Sequence, residues 1–160
     1  MTDFAELLRR LSQEGVEFIV VGGLAVISHG HVRATLDLDI CYARSPENHE
    51  RLVRALSPLQ PRLRGAPPEL PFFWDTHTLR NGLNFTLTTA LGDIDLLGEI
   101  TGLGGYGEIA LRSDTIDLYG ANVRILSLQD LIRSKAAAGR AKDLVDLEAL
   151  RRLQAADDDR

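Results

Sequence analysis

Two aspartates two residues apart, Asp37 and Asp39, carry the first chemical signal in the chain. The segment Thr35 to Tyr42 alternates strictly in polarity, the pattern of a half-buried strand. Thr35, Asp37, Asp39 and Cys41 share one face, while Leu36, Leu38, Ile40 and Tyr42 share the other. Carboxylates at that spacing, with Cα atoms roughly 6–7 Å apart, can converge on one hard cation or on a pair of cations about 4 Å apart. Magnesium suits such a site, because it takes a few carboxylates and completes its shell with water and phosphate oxygens. A solvated strand face is the plainer reading. Aspartate is a poor strand former, however, and two of them behind an apolar face call for a reason.

A second pair stands in Gly92-Asp93-Ile94-Asp95-Leu96-Leu97. Asp95 lies inside the predicted strand, whereas Asp93 reads as part of a Gly92-Asp93 turn. If this strand lies beside Thr35 to Tyr42, Asp95 meets Asp37 and Asp39. Upstream, Gly22-Gly23 ends one apolar run and opens another. Glycines there serve an ordinary tight turn, or leave backbone N–H groups free to face an anion. Arg33 and Thr35 lead into the Asp strand, and Arg33 either binds phosphate or balances the acids. On the helix predicted after Ser127, the apolar stripe Leu128, Leu131, Ile132 continues onto Lys135. A lysine at that edge is either a cation aimed at a polyphosphate or a snorkelling side chain. Arg140, Lys142 and Asp143 come after a glycine break and could face the same cleft, while Lys142 and Asp146 read as an i, i+4 pair. His29 and His31 lack metal-ligand spacing with Cys41 or another histidine, and His29 reads as structural. Gly102 to Gly107 matches G-x-G-x-x-G. The stretch Glu108 to Ser113 is too short for the crossover helix that a dinucleotide site needs before its parallel strand, so a packing or mobile loop is expected at these glycines.

The elements that must position these side chains can be read from periodicity. Phe4, Leu7, Leu8 and Leu11 mark one helical face, with Thr2 as its expected N-cap. Glu17 to Val21 reads as a buried strand and Leu24 to Ser28 as a short helix. Pro46 opens a helix carrying Leu52, Val53 and Leu56. Five of the six prolines fall between Pro58 and Pro71, which predicts a loop ending in Phe72-Phe73-Trp74. That aromatic cluster either packs beneath the loop or lines an acceptor cleft. Leu83 to Leu91 and Ile94 to Leu97 predict a hairpin, as do Thr115 to Leu118 and Asn122 to Leu126 about Gly120. A helix from Ser127 to Gly139 and another from about Lys142 to Leu153 come next, then a frayed acidic tail. This order predicts an α+β fold with a mixed sheet, flanking helices and a small C-terminal helical lobe.

Composition narrows the class of function. The chain has 160 residues, 44% of them hydrophobic, and a net charge of −5. That length suits one domain with its own core. The charge argues against a general nucleic-acid coat but leaves room for a local basic pocket. A lone cysteine, Cys41, excludes an internal disulfide framework and predicts a reducing, cytoplasmic setting. No apolar run reaches membrane-spanning length, so no membrane partner is expected.

The run Gly22-Gly23-Leu24-Ala25, His29-Gly30, Arg33, Thr35, then Asp37-Leu38-Asp39-Ile40, resembles the signature of the DNA polymerase beta-like nucleotidyltransferase superfamily. Its minimal nucleotidyltransferases and AbiEii-type toxins are the nearest look-alikes. Asp95 falls where the third carboxylate of that superfamily lies, and Lys135 with Arg140-x-Lys142-Asp143-(x)2-Asp146-Leu147 resembles the helical motif of toxin-like members. The resemblance spans about Phe18 to Leu147. It implies a catalytic domain over residues 1–126, with a helical extension over 127–160 packed on it. It further implies transfer of a nucleoside monophosphate from an NTP to an acceptor that is a small molecule, a tRNA or a protein, with release of pyrophosphate. In that scheme Asp37, Asp39 and Asp95 are the catalytic and metal-binding residues for two Mg²⁺ ions, and Asp95 accepts the acceptor's proton. Gly22 and Gly23 cradle the β- and γ-phosphates, Thr35 belongs to the nucleotide site, and Lys135 with Arg33 and Lys142 neutralises the leaving group. A cognate toxin or antitoxin partner is implied too. The alternative is a non-enzymatic toxin–antitoxin component on the same fold. One departure stands out: the superfamily commonly has Gly-Ser where this chain has Gly22-Gly23, which removes a hydroxyl from the phosphate cradle.

Overall fold

The computed structural model describes residues 1–160. Its centre is a seven-stranded mixed sheet, in spatial order β3-β4-β5-β2-β1-β9-β8. These strands are β1 (Phe18–Val21), β2 (Asp37–Tyr42), β3 (Arg62–Leu63), β4 (Asn84–Thr89), β5 (Gly92–Leu97), β8 (Asp114–Leu118) and β9 (Ala121–Ile125). A separate two-stranded ribbon pairs β6 (Glu99–Ile100) with β7 (Gly104–Gly105). The helices are α1 (Phe4–Gln13), α2 (Gly22–Ser28), α3 (Pro46–Leu56), α4 (Thr76–Asn81), α5 (Tyr106–Ala110), α6 (Leu128–Ala138) and α7 (Ala141–Asp158). None is long and apolar enough to cross a membrane.

The core arises from the alternation. Leu38 and Ile40 of β2 and Ile94 and Leu96 of β5 are fully buried. They join one apolar cluster with Leu7, Leu8 and Leu11 of α1 and Leu52, Ala55 and Leu56 of α3. The aspartates take the opposite face, because strand side chains alternate across the sheet. Burial of this apolar set is the main driving force for the sheet, at roughly 25 cal/mol for each Å² removed from water.

β2 lies between two unlike neighbours. It is antiparallel to β1, with Val21 opposite Asp39, and parallel to β5, with Asp37 opposite Asp93 and Asp39 opposite Asp95. The parallel pairing needs a crossover, supplied by the chain from α3 through β4. Asn48, buried at the start of α3, ties the chain just before β1 to the chain just after β2. Its Nδ2 donates to the Ala43 carbonyl at 2.7 Å and to that of Glu17 at 3.1 Å, and its Oδ1 accepts from the Glu17 N–H at 2.7 Å.

Several local expectations are corrected. The N-cap of α1 is Asp3, whose side chain accepts from the Glu6 N–H. Thr2 instead donates to the Leu36 carbonyl at 2.5 Å and accepts from the Asp93 N–H at 3.1 Å, pinning the starts of β2 and β5 together. Gly92 has φ +110, and a Cβ there would come within 2.5 Å of Thr2 Cα, so only glycine suits this close approach. The β4–β5 turn therefore falls at Ala90-Leu91, and Asp93 lies in the strand. Helix α7 continues through Asp158, beyond the predicted end. The proline-rich stretch holds strand β3, and α4 comes after it; neither has a periodic signal long enough to read. The Gly102 to Gly107 motif supplies the turn and second strand of the β6–β7 ribbon, and its last two residues, Tyr106 and Gly107, begin the five-residue helix α5.

Candidate active site

The register of β2 and β5 places four aspartates on one sheet face in a two-by-two array. Three of them converge: one oxygen from each of Asp37, Asp39 and Asp95 lies within 4.8 Å of the others. Asp93 is drawn aside, its Oδ1 accepting from the Thr88 hydroxyl at 3.0 Å. Thr88 is its register partner on β4.

Two of these carboxylates, Asp39 and Asp95, resist ionisation. Burial first, then the charges of Asp95 and Asp37, push Asp39 up from 3.8 to about 7. Burial raises Asp95 as well, against the opposing hydrogen bond and charge of Arg64. The Oδ1 atom of Asp39 is buried and has no hydrogen-bond partner. Orphaned buried carboxylate oxygens are rare, because leaving one unpaired costs about 1–3 kcal/mol. An orphan oxygen, an all-oxygen donor set and three converging carboxylates fit a hard divalent cation such as magnesium.

The glycines of α2 make room for this cluster. Gly22 has φ +63, and a Cβ on it would collide with the Asp39 carboxylate. A Cβ on Gly23 would lie 2.6 Å from the Thr35 hydroxyl oxygen. The Thr35 side chain thus fills the space beside Gly23 that a side chain at that position would occupy. Arg33 also reaches this corner, its guanidinium carbon 3.7 Å from the same Cβ position.

A cavity of about 290 Å³ opens from the cluster toward the C-terminal helices, bounded by Gly22, Gly23, Asp37, Asp39 and Lys135 among others. Lys135, only 13% exposed, points its Nζ into paired acids, 3.2 Å from Asp143 and 3.1 Å from Asp146. Arg33 Nη1 lies 2.5 Å from Asp146 Oδ2. Asp146 therefore serves Arg33 and Lys135, with His31 Nε2 at 3.7 Å, in place of the predicted pairing with Lys142. Burial acts to raise Asp143, yet hydrogen bonds and charge from Arg140 and Lys135 prevail and hold it below the ordinary range. Lys142 is exposed and lines the cavity. Gly22, Gly23, Arg33, Thr35, Lys135 and Lys142 thus all border one cavity with Asp37 and Asp39, while Asp95 closes the cluster from β5. His29 is structural, its Nε2 2.7 Å from the Leu126 carbonyl. The aromatic trio divides: Phe72 and Trp74 pack against the core, Trp74 donating to the Val53 carbonyl, and Phe73 is exposed.

One residue at the cluster escaped the sequence reading. Arg64, just past β3, contacts Asp95 at 2.7 Å, Asp93 at 3.3 Å and Asp37 at 3.7 Å. Its one signal is the pair Arg62 and Arg64 amid prolines, with no spacing that links it to the aspartates.

With this geometry in place, known proteins supply the context. No curated protein matches the sequence significantly. A Thermotoga maritima protein provisionally described as a nucleotidyltransferase, with a crystal structure at 1.87 Å, shares the fold at a TM-score of 0.52. The two are 18% identical, over 94% of this chain and 89% of that one. The sequence profile described as nucleotidyl transferase AbiEii toxin, type IV toxin–antitoxin system, matches residues 6–160. The chain is accordingly a member of the AbiEii nucleotidyltransferase toxin family, with the nucleotidyltransferase fold.

Proposed function

We propose that this protein is a divalent-metal-dependent enzyme that moves a nucleoside monophosphate from an NTP to an acceptor and releases pyrophosphate. The observation that carries the reading is the convergence of Asp37, Asp39 and Asp95 beside an orphaned Asp39 oxygen. Asp37, Asp39 and Asp95 would hold the metal, with magnesium the natural ion. A bound ion would supply charge neutralisation and polarisation at the α-phosphate.

The residues divide the remaining work by position. The triphosphate lies in the cavity between α2 and the α6–α7 pair, with the backbone N–H groups of Gly22 and Gly23 facing its outer phosphates. The Thr35 hydroxyl, held beside Gly23, supplies the side-chain donor that Gly23 itself lacks. Lys135 and Arg33 stabilise the leaving group, with Lys142 nearer solvent. Their pairing to Asp143 and Asp146 fixes the two cations in place before substrate arrives. An acceptor hydroxyl attacks the α-phosphorus, the bond to the β-phosphate bridging oxygen breaks, and pyrophosphate departs. The acceptor's proton passes to Asp95, whose raised affinity for protons suits a base. Positioning and electrostatics carry such phosphoryl chemistry.

We assign residues 1–126 as the catalytic domain and 127–160 as an extension that completes the nucleotide site. As a member of a type IV toxin–antitoxin family, the chain is proposed to act as the toxin of a pair with a cognate antitoxin. The test supplies α-labelled NTPs and Mg²⁺ to the protein with separate RNA, protein and small-molecule fractions of a cell extract. Label should enter one fraction with release of pyrophosphate, and Asp39→Asn should lower the rate about 10³-fold. Absence of transfer to every fraction, or full transfer by Asp39→Asn, contradicts the reading. The first result would favour a binding module on the same fold.

A further inference from the structure

Arg64 is the one cation in direct contact with the aspartate array, and it contacts the array unevenly. Its Nη2 takes Asp95 Oδ1 at 2.7 Å, its Nε faces Asp93 Oδ2 at 3.3 Å, and its Nη1 reaches Asp37 Oδ2 at 3.7 Å. It has no ion pair with Asp39, whose Oδ1 stays without a partner. Two of the three carboxylates that converge are therefore shared between a guanidinium and whatever cation enters. The guanidinium also has somewhere to go. The Arg64 side chain is 30% exposed and lines a second cavity of about 340 Å³ formed with Gly65, Pro67, Leu70, Phe72 and Thr88. Its anchor is light: the Nη2 also donates to the Leu87 carbonyl at 2.8 Å, and Gly65, the next residue, has φ +79 in open space.

We propose that Arg64 is a tethered counter-cation that competes with the divalent ion for Asp37 and Asp95, and so sets the metal affinity of the site. The inference rests on the metal-site reading above. The physical reason is direct. A cation bound among Asp37, Asp39 and Asp95 sits a few ångströms from a fixed positive charge, and must share its ligands with that charge. Metal entry starts at the uncompensated Asp39 and becomes complete only as Arg64 withdraws toward its cavity. The tether keeps the metal-free array from bearing four uncompensated carboxylates, and it weakens adventitious metal binding.

The test uses Mn²⁺ as probe and the full chain without nucleotide, with free Mn²⁺ followed by electron paramagnetic resonance. Arg64→Gln should tighten Mn²⁺ binding about tenfold, the effect of removing one adjacent charge. Arg64→Lys, which keeps the charge, should stay within about threefold of the wild-type value. An unchanged or weakened affinity in Arg64→Gln overturns the inference and makes Arg64 a scaffold for the carboxylates. Asp39→Asn separates the two readings. If it abolishes binding while Arg64→Gln changes nothing, the Arg64 inference alone fails. If neither substitution alters binding, or the wild-type protein binds no Mn²⁺, the metal site fails with it. A measurement on the wild-type chain guards against misfolded variants: the Arg64 Nε–H NMR resonance should move as Mg²⁺ is added, and an unmoved resonance at saturating Mg²⁺ overturns the proposal.

Discussion

At the scale of single residues, the cluster is organised by what surrounds Asp39. Its acidity has a consequence for stability with a definite sign. Raised from 3.8 to about 7, Asp39 keeps its proton in the folded, metal-free protein over a range where the unfolded chain has lost it. Below about pH 4 both states hold the proton and the group costs the fold nothing. As pH rises from about 4 to about 7 the cost grows, and above 7 it is complete. Asp39→Asn should therefore raise the melting temperature by about 10 °C at pH 8, for a penalty of about 4 kcal/mol, and by almost nothing at pH 4. A gain that does not vary with pH would contradict this. Metal uptake should show the complementary trend and strengthen as pH rises through 7. Gly22 makes the second prediction. A methyl group there meets the Asp39 carboxylate on a backbone that already favours glycine, so Gly22→Ala should weaken Mn²⁺ binding about 100-fold or more in a chain that still folds. Binding at the wild-type level would show that Asp39 is free to move. The Asp37/Asp39 pair was legible in the sequence because strand alternation alone puts the two on one face. Arg64 was not, because its contact with the array depends on β3 pairing with β4, which a two-residue strand does not announce.

At the scale of elements, the array exists because β2 and β5 run parallel and in register. Thr2 and Gly92 hold that arrangement at the starts of the two strands, and Asn48 holds the register of β1 on β2. Asn48→Ala removes one buried and two part-buried hydrogen bonds and takes this partner from the Glu17 N–H and the Ala43 carbonyl, while the Glu17 carbonyl keeps the Ala43 N–H. It should cost about 3 kcal/mol by denaturant unfolding, and the Mn²⁺ affinity of the surviving folded fraction should be unchanged. A cost below about 1 kcal/mol would mean that the register is fixed elsewhere. Periodicity revealed α1, α3, α6 and both hairpins, since each carries its apolar stripe or alternation over many residues. The placement of β5 beside β2 came by supposition, because a parallel neighbour distant in sequence leaves no local mark. The Gly92 turn misled for a physical reason. Glycine is required there by the approach of Thr2, and the turn itself lies at Ala90-Leu91.

At the scale of the whole molecule, the C-terminal helices belong to the site. Asp146 of α7 holds Arg33 from the loop before β2 and Lys135 from α6, joining segments 113 residues apart in the first case. The sequence placed Lys135 near the cleft but assigned Asp146 to Lys142. Helical spacing favours the nearer cation and carries no information about how α6 and α7 pack. Asp146→Asn should destabilise the fold by about 3 kcal/mol, since it leaves two partly buried cations short of a partner. It should also weaken NTP binding, as Lys135 and Arg33 lose their fixed positions; an unaltered melting temperature would place the lobe's anchor elsewhere. The central claim, that Asp37, Asp39 and Asp95 grip divalent metal for a triphosphate lying on Gly22-Gly23, is tested most directly by a crystal structure with Mn²⁺ and a non-hydrolysable NTP. The account predicts an anomalous Mn²⁺ peak about 2.1 Å from the Asp37 and Asp39 oxygens, with the outer phosphates against Gly22, Gly23 and Lys135. Metal or triphosphate bound away from these residues would contradict it.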